Sequence, residues 1–301
     1  FALGATTTGD SNIAIGQSAL AANTTGTRNI AIGKSAYDAS DTETDNLAIG
    51  HDAMTTNTAG GQYNVAVGNY ALDALTSGDQ NVAVGYEALS TNNAGGYNVA
   101  IGRKALFANT TADNNVAVGR NALTANVDGA GNTALAYEAL RYNTGGDDNT
   151  AVGRKAAYKN TTASQNTAIG REALFENQTG ADNVAVGAAA LYTNVAANNT
   201  AVGRNAMISN TTGANNVALG MNSLRTNTTG TRNTALGYTA LYTNDANDNI
   251  GIGDQAGYSI STGTRNIAIG VNAYDDSDTE NDNIAIGYNA MTTNTAGGNE
   301  N

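Results

Sequence analysis

The stretch Asn64-Val65-Ala66-Val67-Gly68 decides how this chain folds, because it returns in close variants from one end of the sequence to the other. Its leading Asn stands at 12, 29, 46, 64, 81, 98, 115, 132, 149, 166, 183, 199, 216, 233, 249, 266 and 283. The step is 17 residues, with one interval of 18 and two of 16. A period this short and this regular is the mark of a solenoid, in which one small supersecondary unit stacks on the next.

Counting each unit from that Asn as position 1, the pattern is N-φ-A-φ-G-x-x-A-L-x-x-N-T-T-G-x-x, where φ is Ile, Val, Leu or Thr. Aliphatic residues two apart alternate with Ala, which is the period of a strand and not of a helix. Val65 and Val67 therefore share one side of the strand and Ala66 takes the other. The following x-x-Ala-Leu, as in Tyr86-Glu87-Ala88-Leu89, reads as a second short strand or a bend; its Ala recurs in 16 of 17 units, Ser223 being the exception. Asn-Thr-Thr-Gly segments such as Asn227-Thr228-Thr229-Gly230 close the coil, since these residues tolerate tight turns and bond their own backbone. Gly at position 5 is replaced only by Ala136, which points to a bend needing positive φ or close backbone approach.

One such coil cannot bury a core by itself, but stacked copies place identical residues in columns and supply each other's backbone partners. The expected fold is all-β, a parallel β-solenoid of about 17 coils running continuously over residues 1–301. At about 4.8 Å per stacked strand it would be on the order of 80 Å long. The expected core consists of columns of Ile and Val and columns of Leu. Stacked amides are expected in a ladder through Asn29, Asn64, Asn81, Asn98 and Asn115, with a second through Asn23, Asn57, Asn92, Asn109 and Asn126. The near-constant Ala opposite the aliphatic face suggests a close seam between chains at Ala14, Ala31, Ala83 and Ala117. The alternative is a single coil whose own narrow interior those alanines fill.

Composition agrees with this class. The 301 residues include 36 Gly and no Pro, Cys or Trp, far from ordinary globular usage. A formal charge of −12 argues against a nucleic-acid backbone or an anionic membrane as principal partner. No apolar run is long enough to span a bilayer as a helix. Phe1-Ala2-Leu3-Gly4 reads as the tail of a strand and Asn301 falls in mid-pattern, so a fragment of a longer protein is expected.

Few residues carry chemistry. With no Cys and a single histidine, His51, at a variable position, neither a thiol nucleophile nor a histidine-based triad has support, and no enzyme is expected. Position 6 gathers Arg103, Arg120, Arg154, Arg171 and Arg204, interleaved with Tyr86, Tyr137, Tyr238 and Tyr288. In register these form a stripe suited to glycans or anionic surfaces. The alternative is a solubilising edge whose arginines pair with Glu87, Glu138 and Glu172 next door. The acidic turn containing Asp38, Asp41, Glu43 and Asp45 recurs with Asp275 and Asp278, and clustered oxygen ligands of this kind suit Ca²⁺. The loops lack the spacing of known calcium motifs, and a solvated turn is the alternative. The Thr-rich turns also invite an ice-binding reading, which needs a flat, regular Thr array that Asn and Gly interrupt. Residues 27–62 and 264–298 are nearly the same sequence, which duplication of whole units explains.

The stretches Asn29-Ile30-Ala31-Ile32-Gly33, Asn98-Val99-Ala100-Ile101-Gly102 and Asn283-Ile284-Ala285-Ile286-Gly287 resemble the head repeats of YadA-like trimeric autotransporter adhesins. Similar long repeats occur in bacteriophage tail fibres and bacterial surface fibres. The family's period is shorter than this one. The resemblance implies a left-handed parallel β-roll, a homotrimer around one axis, and an extracellular place on a cell surface or virion. It also implies a role in attachment to host glycan or protein, or as a spacer.

Overall fold

The computed structural model describes residues 2–276 and 279–292. Two compact units divide the chain, Phe1–Asn149 and Thr150–Asn301, and each is a parallel β-solenoid. The first holds β1 (Ile13–Ile15), β2 (Ile30–Ile32), β3 (Leu47–Ile49), β4 (Val65–Val67), β5 (Val82–Val84), β6 (Val99–Ile101), β7 (Val116–Val118) and β8 (Thr133–Leu135). The second holds β9 (Thr150–Val152), β10 (Thr167–Ile169), β11 (Val184–Val186), β12 (Thr200–Val202), β13 (Val217–Leu219), β14 (Thr234–Leu236), β15 (Ile250–Ile252), β16 (Ile267–Ile269) and β17 (Ile284–Ile286). No helix occurs among the described residues. Within each unit consecutive strands pair in parallel and position for position, as in Val82↔Val99, Ala83↔Ala100 and Val84↔Ile101, or Thr167↔Val184, Ala168↔Ala185 and Ile169↔Val186.

The strand's two faces are the reverse of the sequence expectation. Ala31, Ala83 and Ala117 have no exposed surface within a single chain, while the flanking Ile and Val side chains are half-exposed. Ala14, in β1, is half-buried. The expected Ala seam between chains is therefore corrected at Ala31, Ala83 and Ala117, whose methyl groups line the inside of the coil and cannot touch a neighbouring chain. The physical reason is space. A 17-residue turn with one three-residue strand encloses little volume, and Leu at position 9 already claims most of it; Leu89, Leu106 and Leu123 are fully buried. A branched side chain at position 3 would overfill that interior. Burying each Leu is worth roughly 1.5–3 kcal/mol.

The x-x-Ala-Leu segment is a turn and not a second strand. Its backbone alternates in handedness: Glu87 has φ +53° and Leu89 has φ +52°, with Ala88 between them. That alternation turns successive amides in opposite directions along the solenoid. The Glu87 N–H donates to the Asn69 carbonyl of the preceding coil at 3.1 Å, and the Leu89 N–H donates to the Ala105 carbonyl of the following coil at 3.0 Å. Left-handed conformations cost roughly 1–2 kcal/mol for a residue with a side chain, so the intercoil bonds must offset that cost in every turn. At position 5 the requirement is stricter. Gly102 has φ +126°, and a Cβ built there would lie 2.8 Å from the Gly119 carbonyl carbon in the next coil.

Two columns of buried Asn stitch the coils together. The Oδ1 of Asn98 accepts the Asn115 backbone N–H at 2.9 Å, and its Nδ2 donates to the Ala112 carbonyl at 2.9 Å. Asn29, Asn64, Asn81 and Asn115 repeat the same two contacts with their own following coils. Amide-to-amide bonds are present too, as from Asn81 Nδ2 to Asn64 Oδ1 at 3.1 Å. The main work of this column is side chain to backbone. The second column is a truer amide ladder: Asn109 Nδ2 donates to Asn92 Oδ1 at 2.8 Å and Asn126 Nδ2 to Asn109 Oδ1 at 3.1 Å. The same Asn109 Nδ2 closes its own turn on the Ala112 carbonyl at 3.0 Å.

Candidate functional surface

Since the interior is filled mainly by Ala, Leu and Asn, most chemically distinctive side chains lie in a few outward columns, with Tyr37, Glu43 and Tyr274 among the buried exceptions. The first is the aliphatic face at positions 2 and 4. Position 2 accepts Thr in several coils, among them Thr133 and Thr150, whereas position 4 is Ile, Val or Leu in all 17. Ile101 is 40% exposed and Leu219 is 50% exposed, although both sit mid-unit and are paired on both sides.

The second column is position 6. In the first unit the order along successive coils is Tyr86, Arg103, Arg120, Tyr137. The Arg103 guanidinium lies 5.9 Å from the Tyr86 ring centroid, and that of Arg120 lies 5.6 Å from Tyr137. The expected pairing with neighbouring glutamates does not reach these two arginines. Glu87 pairs with Lys104 at 3.1 Å and Glu138 with Arg141 at 2.5 Å. In the second unit the pairing does form: Glu172 meets Arg154 at 2.8 Å and Arg171 at 3.6 Å. The same sequence feature thus gives an uncommitted cationic pair in one unit and a pair sharing one carboxylate in the other.

The acidic turn is organised for structure. Glu43 is buried, and its Oε2 accepts from Ser40 Oγ at 3.1 Å, Asp41 N–H at 2.9 Å and Thr42 N–H at 3.1 Å. Its Oε1 accepts the Gly60 N–H at 3.1 Å. Asp45 faces Arg28 in a bidentate pair at 2.6 and 2.7 Å, which holds its carboxyl below the usual range. Asp41 accepts from the Thr24 hydroxyl. Burial pushes the Asp38 and Asp275 carboxyls up. The carboxylates of the expected calcium turn are thus directed to separate partners, and among the described residues no group of three or more acidic or His side chains is gathered for a metal ion. Asp278 lies outside the described residues.

Sequence reasoning missed why Glu43 is there. In this coil Tyr37 replaces the usual Leu, Ser40 the usual Asn and Glu43 the usual Gly. The Tyr37 hydroxyl reaches the Asn columns, accepting from Asn46 Nδ2 at 2.6 Å and Asn57 Nδ2 at 3.1 Å. Burial raises its pKa well above that of an ordinary tyrosine. The readable signal was the joint return of Tyr274, Ser277 and Glu280 in the duplicated coil; Tyr274 likewise accepts from Asn283 Nδ2, at 2.8 Å.

Two further columns went unread. At position 10 Tyr158, Phe175 and Tyr192 stack at centroid distances of 5.0 and 4.9 Å, and Tyr242 stacks on Tyr258 at 5.0 Å. At position 17 Arg232 pairs with Asp248 and Arg265 with Asp282, each between adjacent coils. The Thr column at position 13 spends its hydroxyls internally, with Thr76, Thr161 and Thr211 donating to carbonyls of the following coil at 3.1, 2.9 and 2.9 Å. Hydroxyls directed along the stack are poorly placed to order water above the surface. Among the described residues no helix is long and apolar enough to cross a membrane.

No protein-family model matches this chain, and no curated protein matches it.

Proposed function

We propose that this chain is a structural fibre segment, without catalytic activity, that assembles with copies of itself through the outward aliphatic face and serves as a spacer and attachment surface. The single observation that carries the reading is the column of half-exposed Ile, Val and Leu at position 4, present in every coil of each unit. In the second unit nine strands at about 4.8 Å make a stripe roughly 40 Å long, and at about 10 Å wide it exposes some 400 Å². Apolar patches of about that size on monomers are commonly interaction sites.

The occupant that fits is another copy of this chain. A stripe whose side chains recur at the strand spacing is matched along its length only by a surface with the same repeat, and a second copy has it by construction. Self-association also agrees with the trimer that the YadA-like resemblance implies, and an adhesive extracellular role follows from the same resemblance. Sedimentation of the purified chain tests the reading. The expected result is an oligomer that dissociates to folded monomers in Ile101→Lys/Val118→Lys. A wild-type chain that sediments as a folded monomer at micromolar concentration overturns it.

A further inference from the structure

From the position-6 column of the first unit we infer a second site: Tyr86, Arg103, Arg120 and Tyr137 form a binding site for an anionic polysaccharide. This goes beyond the fibre reading and does not depend on it. The four residues occupy consecutive coils, so the site spans three steps, on the order of 14 Å. Both arginines are exposed. Tyr86 and Tyr137 are 43% and 37% exposed. Each Arg lies within cation–π range of the Tyr at its own end of the row, at 5.9 and 5.6 Å from the ring centroid. A guanidinium beside a ring keeps N–H donors available for a carboxylate or sulfate, which it binds through two parallel hydrogen bonds.

What separates this row from other surface arginines is its lack of competition. Among the described residues neither Arg103 nor Arg120 has a carboxylate at ion-pair distance, and the nearby Glu87 and Glu138 are neutralised by Lys104 and Arg141. Arg154 and Arg171, in the same column of the second unit, share Glu172. The site is a locally cationic strip on a chain of net charge −12. The long-range field repels polyanions, but at physiological salt it is screened beyond about 8 Å, so recognition rests on contact. A sugar polymer supplies both required elements: acidic groups for the two guanidiniums, and apolar pyranose faces for the two rings. In 1,4-linked pyranose chains, α or β, the rise per sugar is comparable to one coil step, so successive sugars meet successive side chains.

The test is a fluorescence-anisotropy titration at physiological salt with three labelled probes: a heparin oligosaccharide, an oligogalacturonate and a neutral cello-oligosaccharide. Saturable binding to either anionic probe, and not to the neutral one, is expected; binding of the oligogalacturonate assigns carboxylate as sufficient, and binding of heparin alone, which carries both groups, assigns sulfate as required. Arg103→Gln/Arg120→Gln should weaken it by about tenfold or more, with circular dichroism and sedimentation unchanged. Arg154→Gln/Arg171→Gln should change it by less than about twofold. Tyr86→Ala/Tyr137→Ala should weaken the part of the affinity that survives high salt. The proposal is overturned if neither anionic probe binds saturably, if the neutral probe binds equally well, if both Arg pairs matter equally, or if a single-stranded oligonucleotide of the same charge binds more tightly.

Discussion

Replacing Asn98 by Ala isolates what a single stitch of the inner Asn column contributes. Three bonds disappear: Oδ1 no longer accepts the Asn115 N–H (2.9 Å), and Nδ2 no longer donates to the Ala112 carbonyl (2.9 Å) or to Asn81 Oδ1 (3.2 Å). Two of the abandoned groups keep other partners. Ala112 O still accepts from Asn109 Nδ2, and Asn81 Oδ1 still accepts the residue 98 backbone N–H. Only the Asn115 N–H is orphaned. An orphaned buried donor costs about 1–3 kcal/mol, and each of the two further lost bonds about 1 kcal/mol net, so the expected loss is about 3–5 kcal/mol. Because solenoid coils touch only their neighbours, that loss need not appear as a single global transition. Amide hydrogen exchange reads it locally, and Asn115 should exchange at least about a hundredfold faster while Asn64 is unchanged. Asn98→Asp keeps the acceptor but buries a carboxylate against the Ala112 carbonyl, so it should be worse than Ala at neutral pH and recover as acid restores a donor. Uniform faster exchange throughout the unit, or no change at Asn115, would refute the assignment of this Asn as a local stitch.

Three other outcomes are expected. Ala136→Gly should stabilise the chain by about 1 kcal/mol in urea unfolding, since Ala136 sits at φ +114°, and relief of about 1–3 kcal/mol of strain exceeds the added unfolded-state entropy. Tyr37 has its pKa raised by burial, so its contribution to stability is complete below about pH 10 and is lost as pH climbs beyond that; Tyr37→Phe should cost about 1 kcal/mol at neutral pH and flatten the alkaline loss. Ala100→Val, pointing inward, should cost about 1–3 kcal/mol, whereas Val99→Thr, pointing outward, should cost less than about 1 kcal/mol; thermal melts showing the reverse order would contradict the assignment of the two faces.

The 17-residue coil, the strand at positions 2–4 and the bend at Gly were legible because period and local conformation are written in residue order. Which face of the strand turned inward was not, because alternation alone is symmetric between the two faces. Variation within the repeat could have broken the tie. Position 3 is Ala in 16 of 17 coils, Gly251 being the exception, as a site with no spare volume requires, whereas position 2 takes Ile, Val, Leu or Thr. A position that admits Thr133 and Thr200 is not sealed from water. The Arg/Tyr stripe was placed correctly as a column, but its split into a free pair and a pair sharing one carboxylate depends on rotamers. Glu87 turns to Lys104 and Glu138 to Arg141, choices between nearby cations that spacing cannot rank.

The same comparison among coils separates scaffold from specificity. Stability between coils rests on Asn, Gly, Ala and backbone bonds that most coils share, so the outward positions are free to differ without disturbing the stack. Position 6 uses that freedom fully, passing through Lys34, His51, Asn69, Tyr86 and Arg103 in five consecutive coils. Position 4 does not use it, although its side chains are also half-exposed and Thr is accommodated two residues away. A partner that reads one coil at a time would leave most coils unconstrained there. An apolar residue kept in all 17 coils is instead what a partner extending along many coils of a unit would demand, which favours a copy of this chain on the aliphatic face and a short ligand on the variable one.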